Sequence, residues 1–79
     1  MSTHKLKKVF VETLGLGAQV DWNGLRYRRV EQWDSVAHMY LVGEIEQVFD
    51  VMLETQDVLA MDSFAAATNI LARHGVNFD

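Results

Sequence analysis

Three stretches of this chain repeat apolar residues at intervals of three and four, and no other stretch sustains such a period. Leu6, Val9, Phe10 and Leu14, with Thr13 beside them, form the first. His38, Leu41, Val42, Ile45, Val48 and Phe49 form the second, and Phe64, Ala67, Ile70 and Leu71 the third. Residues at these spacings share one side of an α-helix, so each stretch offers one apolar stripe to a common core. The flanking residues agree. Gly15 and Gly17 follow the first stripe and Gly75 the third, while Ser2 or Thr3, Asp34 or Ser35, and Asp62 or Ser63 stand where helix caps belong. The second helix is expected from about Ser35 to Phe49, and a short turn of helix near Thr55–Ala60. The pattern predicts an all-α fold, a small four-helix bundle of three main helices plus one short one, in a single domain over residues 1–79.

Residues 15–33 lack the period. Val20 and Trp22 before Asn23-Gly24, then Leu25 and Tyr27 after it, alternate as a short hairpin would. The runs are very short and no other strand signal is available to pair with them. The segment is therefore read as a long loop whose Leu25, Val30 and Trp22 tuck onto the helices, and long loops in small domains often border a functional site. With 79 residues and no cysteine, folding buries only about 60–65% of the chain's surface. Stability must come from packing alone, without disulfides, and a deep enclosed active site is not expected.

Charge is distributed unevenly. Residues 1–30 hold six Lys and Arg against Glu12 and Asp21, a net +4, whereas residues 31–79 hold nine Asp and Glu against Arg73, a net −8. An acidic surface of this kind opposes nucleic acid and favours encounters with basic proteins. Arg26-Tyr27-Arg28-Arg29 is the local exception, and it reads as a solvated face paired with the acidic half rather than a nucleic-acid site. The first helix, with Lys5, Lys7 and Lys8 beside its stripe, is too short to anchor firmly in a membrane, and the N-terminal run makes a poor signal peptide. A cytoplasmic protein without membrane insertion is expected.

The second helix carries more apolar residues than one core face needs. Val36, Met39, Tyr40 and Gly43 lie on another side from its stripe, which predicts a docking face beside the helix N-terminus. Asp-Ser occurs twice at a predicted helix start, at 34–35 and 62–63. Ser63 opens a helix with a single stripe and suits a structural cap. Ser35 opens the two-faced helix after the long loop, and a phosphoester formed there would sit at the positive end of the helix dipole. With Asp34 or Ser35 as the cap, Ser35→Ala is expected to cost about 1 kcal/mol.

Asp34-Ser35-Val36, followed by Glu44-Ile45-Glu46-Gln47-Val48-Phe49-Asp50, resembles the acyl carrier proteins and related peptidyl and aryl carrier domains. Their attachment site reads Asp-Ser-Leu, and the same helix ends in an acidic, Phe-containing run. The likeness spans nearly the whole chain and includes the long first loop and the short third helix. It implies that a phosphopantetheinyl transferase using Mg²⁺ attaches 4'-phosphopantetheine from coenzyme A to Ser35, with Asp34 matching the aspartate that helps position that metal. Acyl or aminoacyl groups would then be held as thioesters on the arm. A ligase, ketosynthase or acyltransferase would meet the carrier through Val36, Met39 and Tyr40, with Glu44, Glu46 and Asp50 contributing attraction. The carrier is expected to be a monomer and to catalyse nothing itself.

Three departures from the family pattern bear on its role. Val36 replaces the usual Leu, Trp33 stands where many members have a small residue, and Ala37 and Tyr40 occupy positions that fatty-acid-synthase carriers fill with acidic residues. The docking face is thus more apolar, which favours a freestanding carrier for a dedicated biosynthetic pathway. The alternative is an unmodified adaptor of the same fold that binds a partner enzyme. An enzyme built on Ser35 and His38, three apart on one helix, lacks an evident orienting partner and oxyanion hole. His4, His38 and His74 lie too far apart in sequence to suggest a zinc motif.

Overall fold

The computed structural model describes residues 2–78. Its four helices are α1 (Ser2–Leu14), α2 (Ser35–Phe49), α3 (Thr55–Ala60) and α4 (Phe64–Arg73). The periodic stripes become the core as expected. Leu6, Val9, Phe10 and Leu14 of α1, His38, Leu41, Val42 and Ile45 of α2, and Phe64, Ala67, Ile70 and Leu71 of α4 are buried. The result is a small helical bundle, and no strand occurs among the described residues; a single isolated bridge joins Arg26 to Ser63. No described helix is long and apolar enough to cross a membrane.

The three long helices end in the same way, with a left-handed residue followed by a backbone bond reaching back five positions. Gly15 (φ 66°) precedes Leu16, whose N–H donates to Val11 O at 3.0 Å, and Gly75 (φ 91°) precedes Val76, whose N–H donates to Leu71 O at 3.0 Å. These bonds satisfy carbonyls that the helix ends would otherwise leave free. At the end of α2 the left-handed residue is Asp50 (φ 54°), with Val51 N–H donating to Glu46 O at 3.1 Å. Aspartate is among the few residues with a side chain that tolerate this conformation, so α2 stops without a glycine.

The loop between α1 and α2 is built into the bundle. Leu25 is buried, Trp22 and Val30 are half-buried against the core, and Asp21–Gly24 form a tight turn closed by Gly24 N–H on Asp21 O at 3.1 Å. Trp22 lies 4.8 Å, centroid to centroid, from Phe64 and 6.1 Å from Phe10. Tyr27 N–H donates to Asp62 O at 2.9 Å and Arg28 N–H to Trp33 O at 2.8 Å, tying the loop to the α3–α4 connection and to its own last turn.

Trp33 ends that loop and is completely buried. Its ring meets Phe10 edge-on at 5.4 Å, and its indole N–H donates to His38 Nδ1 at 2.9 Å. Because Nδ1 accepts, the ring proton of the neutral imidazole sits on Nε2, which donates to Val58 O of α3 at 2.9 Å. One chain of hydrogen bonds thereby joins loop, α2 and α3 inside the core. Trp33→Phe keeps most of the ring's bulk but leaves His38 Nδ1 buried without a donor. Urea unfolding should show a loss of about 1–3 kcal/mol.

The short α3 is held from its other side by Asp57. The Asp57 carboxylate accepts from Glu54 N–H at 3.1 Å and from His74 Nε2 at 2.9 Å, while Arg73 lies 3.3 Å away. The His74 hydrogen bond, then that from Glu54, hold the Asp57 pKa below its ordinary value of 3.8, against burial, which acts in the other direction. A carboxylate whose folded pKa is depressed stabilises the fold above its unfolded value, and that contribution is lost as pH falls through the lowered one. Stability measured below pH 3.8 should therefore fall less steeply in Asp57→Asn than in the unsubstituted protein.

Candidate functional site

The two Asp-Ser pairs are used in opposite ways. At the start of α2 the cap is the aspartate: Asp34 has extended backbone (φ −95°, ψ −174°), and its Oδ1 accepts from Ala37 N–H at 2.8 Å. At the start of α4 it is the serine, since Ser63 Oγ accepts from Ala66 N–H at 3.0 Å and Ser63 is buried. Ser35 is the first residue of α2, exposed, and no hydrogen bond engages its hydroxyl among the described residues. The expectation that Ser35→Ala loses a cap is thus corrected, because the cap belongs to Asp34.

Position explains what is distinctive about this hydroxyl. Ser35 and Val36 open a 15-residue helix, and their backbone N–H groups have no partner within it. With Ala37 N–H taken by Asp34, these donors and the helix dipole favour an anion next to Ser35 Oγ. No buried polar side-chain atom lacks a partner among the described residues.

The predicted docking residues lie where the second apolar set placed them. Val36, Met39 and Tyr40 are 64%, 62% and 69% exposed, and Gly43 and Glu44 continue the same face. Tyr40 and Glu44 also line a shallow cleft toward α1 with Val9, Glu12 and Thr13. Two exposed apolar residues outside α2, Met52 (83%) and Leu59 (79%), escaped the sequence reading. Leu59 sits in a six-residue helix too short to display a face by periodicity.

Other expectations change. Glu46, assigned to partner attraction, is half-buried and its Oε2 accepts from Leu53 N–H at 2.9 Å, so it closes the α2–α3 connection. Asp50 remains exposed at the end of α2. Arg26 does not pair with the acidic half; its guanidinium donates to Asn23 O at 2.7 Å and Leu25 O at 3.0 Å. His38 is a core histidine as expected, and both its ring nitrogens are committed, to Trp33 and to Val58. It has no free nitrogen with which to take a proton from Ser35.

Comparison of the chain with protein-family models, with curated proteins and with solved structures finds no significant match.

The cap assignments make a direct prediction for stability. Asp34→Ala and Ser63→Ala should each cost about 0.5–2 kcal/mol, whereas Ser35→Ala should lie well below that range. Urea unfolding of the three variants checks the order.

Proposed function

We propose that this chain is a carrier domain in which Ser35 receives 4'-phosphopantetheine and which presents acyl or aminoacyl groups to partner enzymes. The observation that carries the reading is the exposed, unengaged Ser35 hydroxyl, released from capping by Asp34 and set beside exposed Val36, Met39 and Tyr40. The resemblance of Asp34-Ser35-Val36 and of the helix-end run 44–50 to the acyl carrier family points the same way.

The residues present suit the attached group. Its phosphodiester would lie against the unpaired N–H groups at the start of α2, and the group would supply a thiol on a flexible arm to hold cargo as a thioester. Asp34 caps through Oδ1, which leaves Oδ2 for the metal that a transferase brings. Val36, Met39 and Tyr40 would supply apolar contact and Glu44 a charge at its edge, a division in which apolar burial gives affinity and charge gives steering. A tether raises the effective concentration of its cargo at each partner's active site, so delivery needs no catalysis by the carrier.

Incubation with coenzyme A, Mg²⁺ and a permissive phosphopantetheinyl transferase should add one phosphopantetheinyl group to the intact mass. Ser63→Ala should be loaded to the same extent and Ser35→Ala not at all. If Ser35→Ala is still loaded, the assignment is wrong. A folded protein that no transferase loads would leave the exposed face as that of an unmodified adaptor.

A further inference from the structure

The way into the bundle from Ser35 is filled. His38 lies three residues on, below Ser35 on the same side of α2. Its imidazole spans the gap to α3 through the hydrogen bond to Val58 O. Behind it Trp33 is completely buried, and Tyr27 packs on the imidazole at 4.8 Å and on the indole at 6.1 Å between centroids. Leu41, Met61 and Leu71 of the same core are buried to 0%, 1% and 0% exposure. The clefts lined by Leu25 and Val30, by Tyr40 and Glu44, by Asp57 and His74, by Met52 and Leu59, and by Trp22 and Phe64 include neither Ser35 nor His38.

An alkyl chain entering between α2 and α3 would have to part a hydrogen-bonded imidazole from its carbonyl and displace the indole. That would strand polar groups in an apolar interior, where an unmade hydrogen bond is costly. Hydrocarbon burial recovers free energy only where room exists or can be made cheaply, and a close-packed aromatic core makes little.

Resting on the carrier reading, we infer that the cargo of this domain stays outside the bundle and is a short acyl or aminoacyl group rather than a long hydrocarbon chain sequestered between the helices. The aromatic core and the Trp33–His38–Val58 bridge are the features that exclude the chain.

The test loads the full chain with acetyl-, alanyl- and octanoyl-phosphopantetheine, using the corresponding acyl-coenzyme A thioesters and a permissive transferase. Intact mass establishes loading. The readout is the indole N–H resonance of Trp33 with the amide resonances of Leu41, Ile45 and Ala67. All three loaded forms should give the same resonances for these buried groups, with shifts confined to the Ser35–Tyr40 surface, and the same thermal midpoint. Movement of the Trp33 indole signal and a raised midpoint in the octanoyl form alone would overturn the inference while leaving the carrier reading intact. Failure of all three thioesters to load on Ser35 would overturn both. Trp33→Phe, which removes the donor and keeps most of the ring, serves as a second variant. It should gain sensitivity to the octanoyl chain if the hydrogen-bond bridge is part of the barrier, and an equally insensitive variant would overturn that role of the bridge.

Discussion

The bundle is organised around a chain of hydrogen bonds that runs outward from the core, from the buried Trp33 indole to the His38 imidazole and on to the half-buried Val58 carbonyl. Each link is polar; the indole–imidazole bond is buried and the imidazole–carbonyl bond half-buried, so parting the three groups leaves the indole N–H without a partner in the core. The indole–imidazole bond fixes Trp33, two residues ahead of the start of α2. The imidazole–carbonyl bond fixes the height at which α3, only six residues long, rides against α2. A helix of that length has little stability of its own, and its place depends on the histidines that reach it from either side, His38 from α2 and His74 from the end of α4. The rings of Phe10 and Tyr27 pack against this chain, and Trp22 and Phe64 pack in turn on Phe10.

The exposure of Ser35 follows from that anchoring. With Trp33 locked into the core, the next residue, Asp34, is left in extended conformation with its carboxylate over the first turn of α2. Asp34 satisfies the third helical N–H, and the serine is carried outward at the first helical position. At α4 the chain arrives differently. Tyr27 N–H holds Asp62 O, the backbone enters the helix one residue later, and Ser63 turns inward to cap. The same dipeptide therefore has two fates, decided by where the preceding chain is pinned.

The helical part of this was legible in the sequence because periodicity reports which side of a helix meets a core. Every residue of the α4 stripe is buried, and the bounds expected for α2 and α3 match those observed. The second face of α2 could be read for the same reason. What escaped lay off the helical period. Trp33, in an aperiodic loop, offers no stripe, and its partner His38 is visible in sequence only as one member of an apolar face. Glu46 looks like a surface charge until the chain turns back and presents Leu53 N–H to it. The choice between Asp34 and Ser35 as cap, and between Asp62 and Ser63, depends on the backbone angle at entry, which composition does not encode.

The two serines differ in kind: Ser63 is a cap, and Ser35 carries an exposed hydroxyl that no hydrogen bond engages among the described residues. Trypsin releases both in a single peptide, residues 30–73, which has no internal Lys or Arg. A fragment-ion spectrum of that peptide from transferase-treated protein tests this difference directly. The account predicts a phosphopantetheinyl group on Ser35 with Ser63 unmodified. A group on Ser63, or an unmodified peptide from protein shown to be folded, would contradict it.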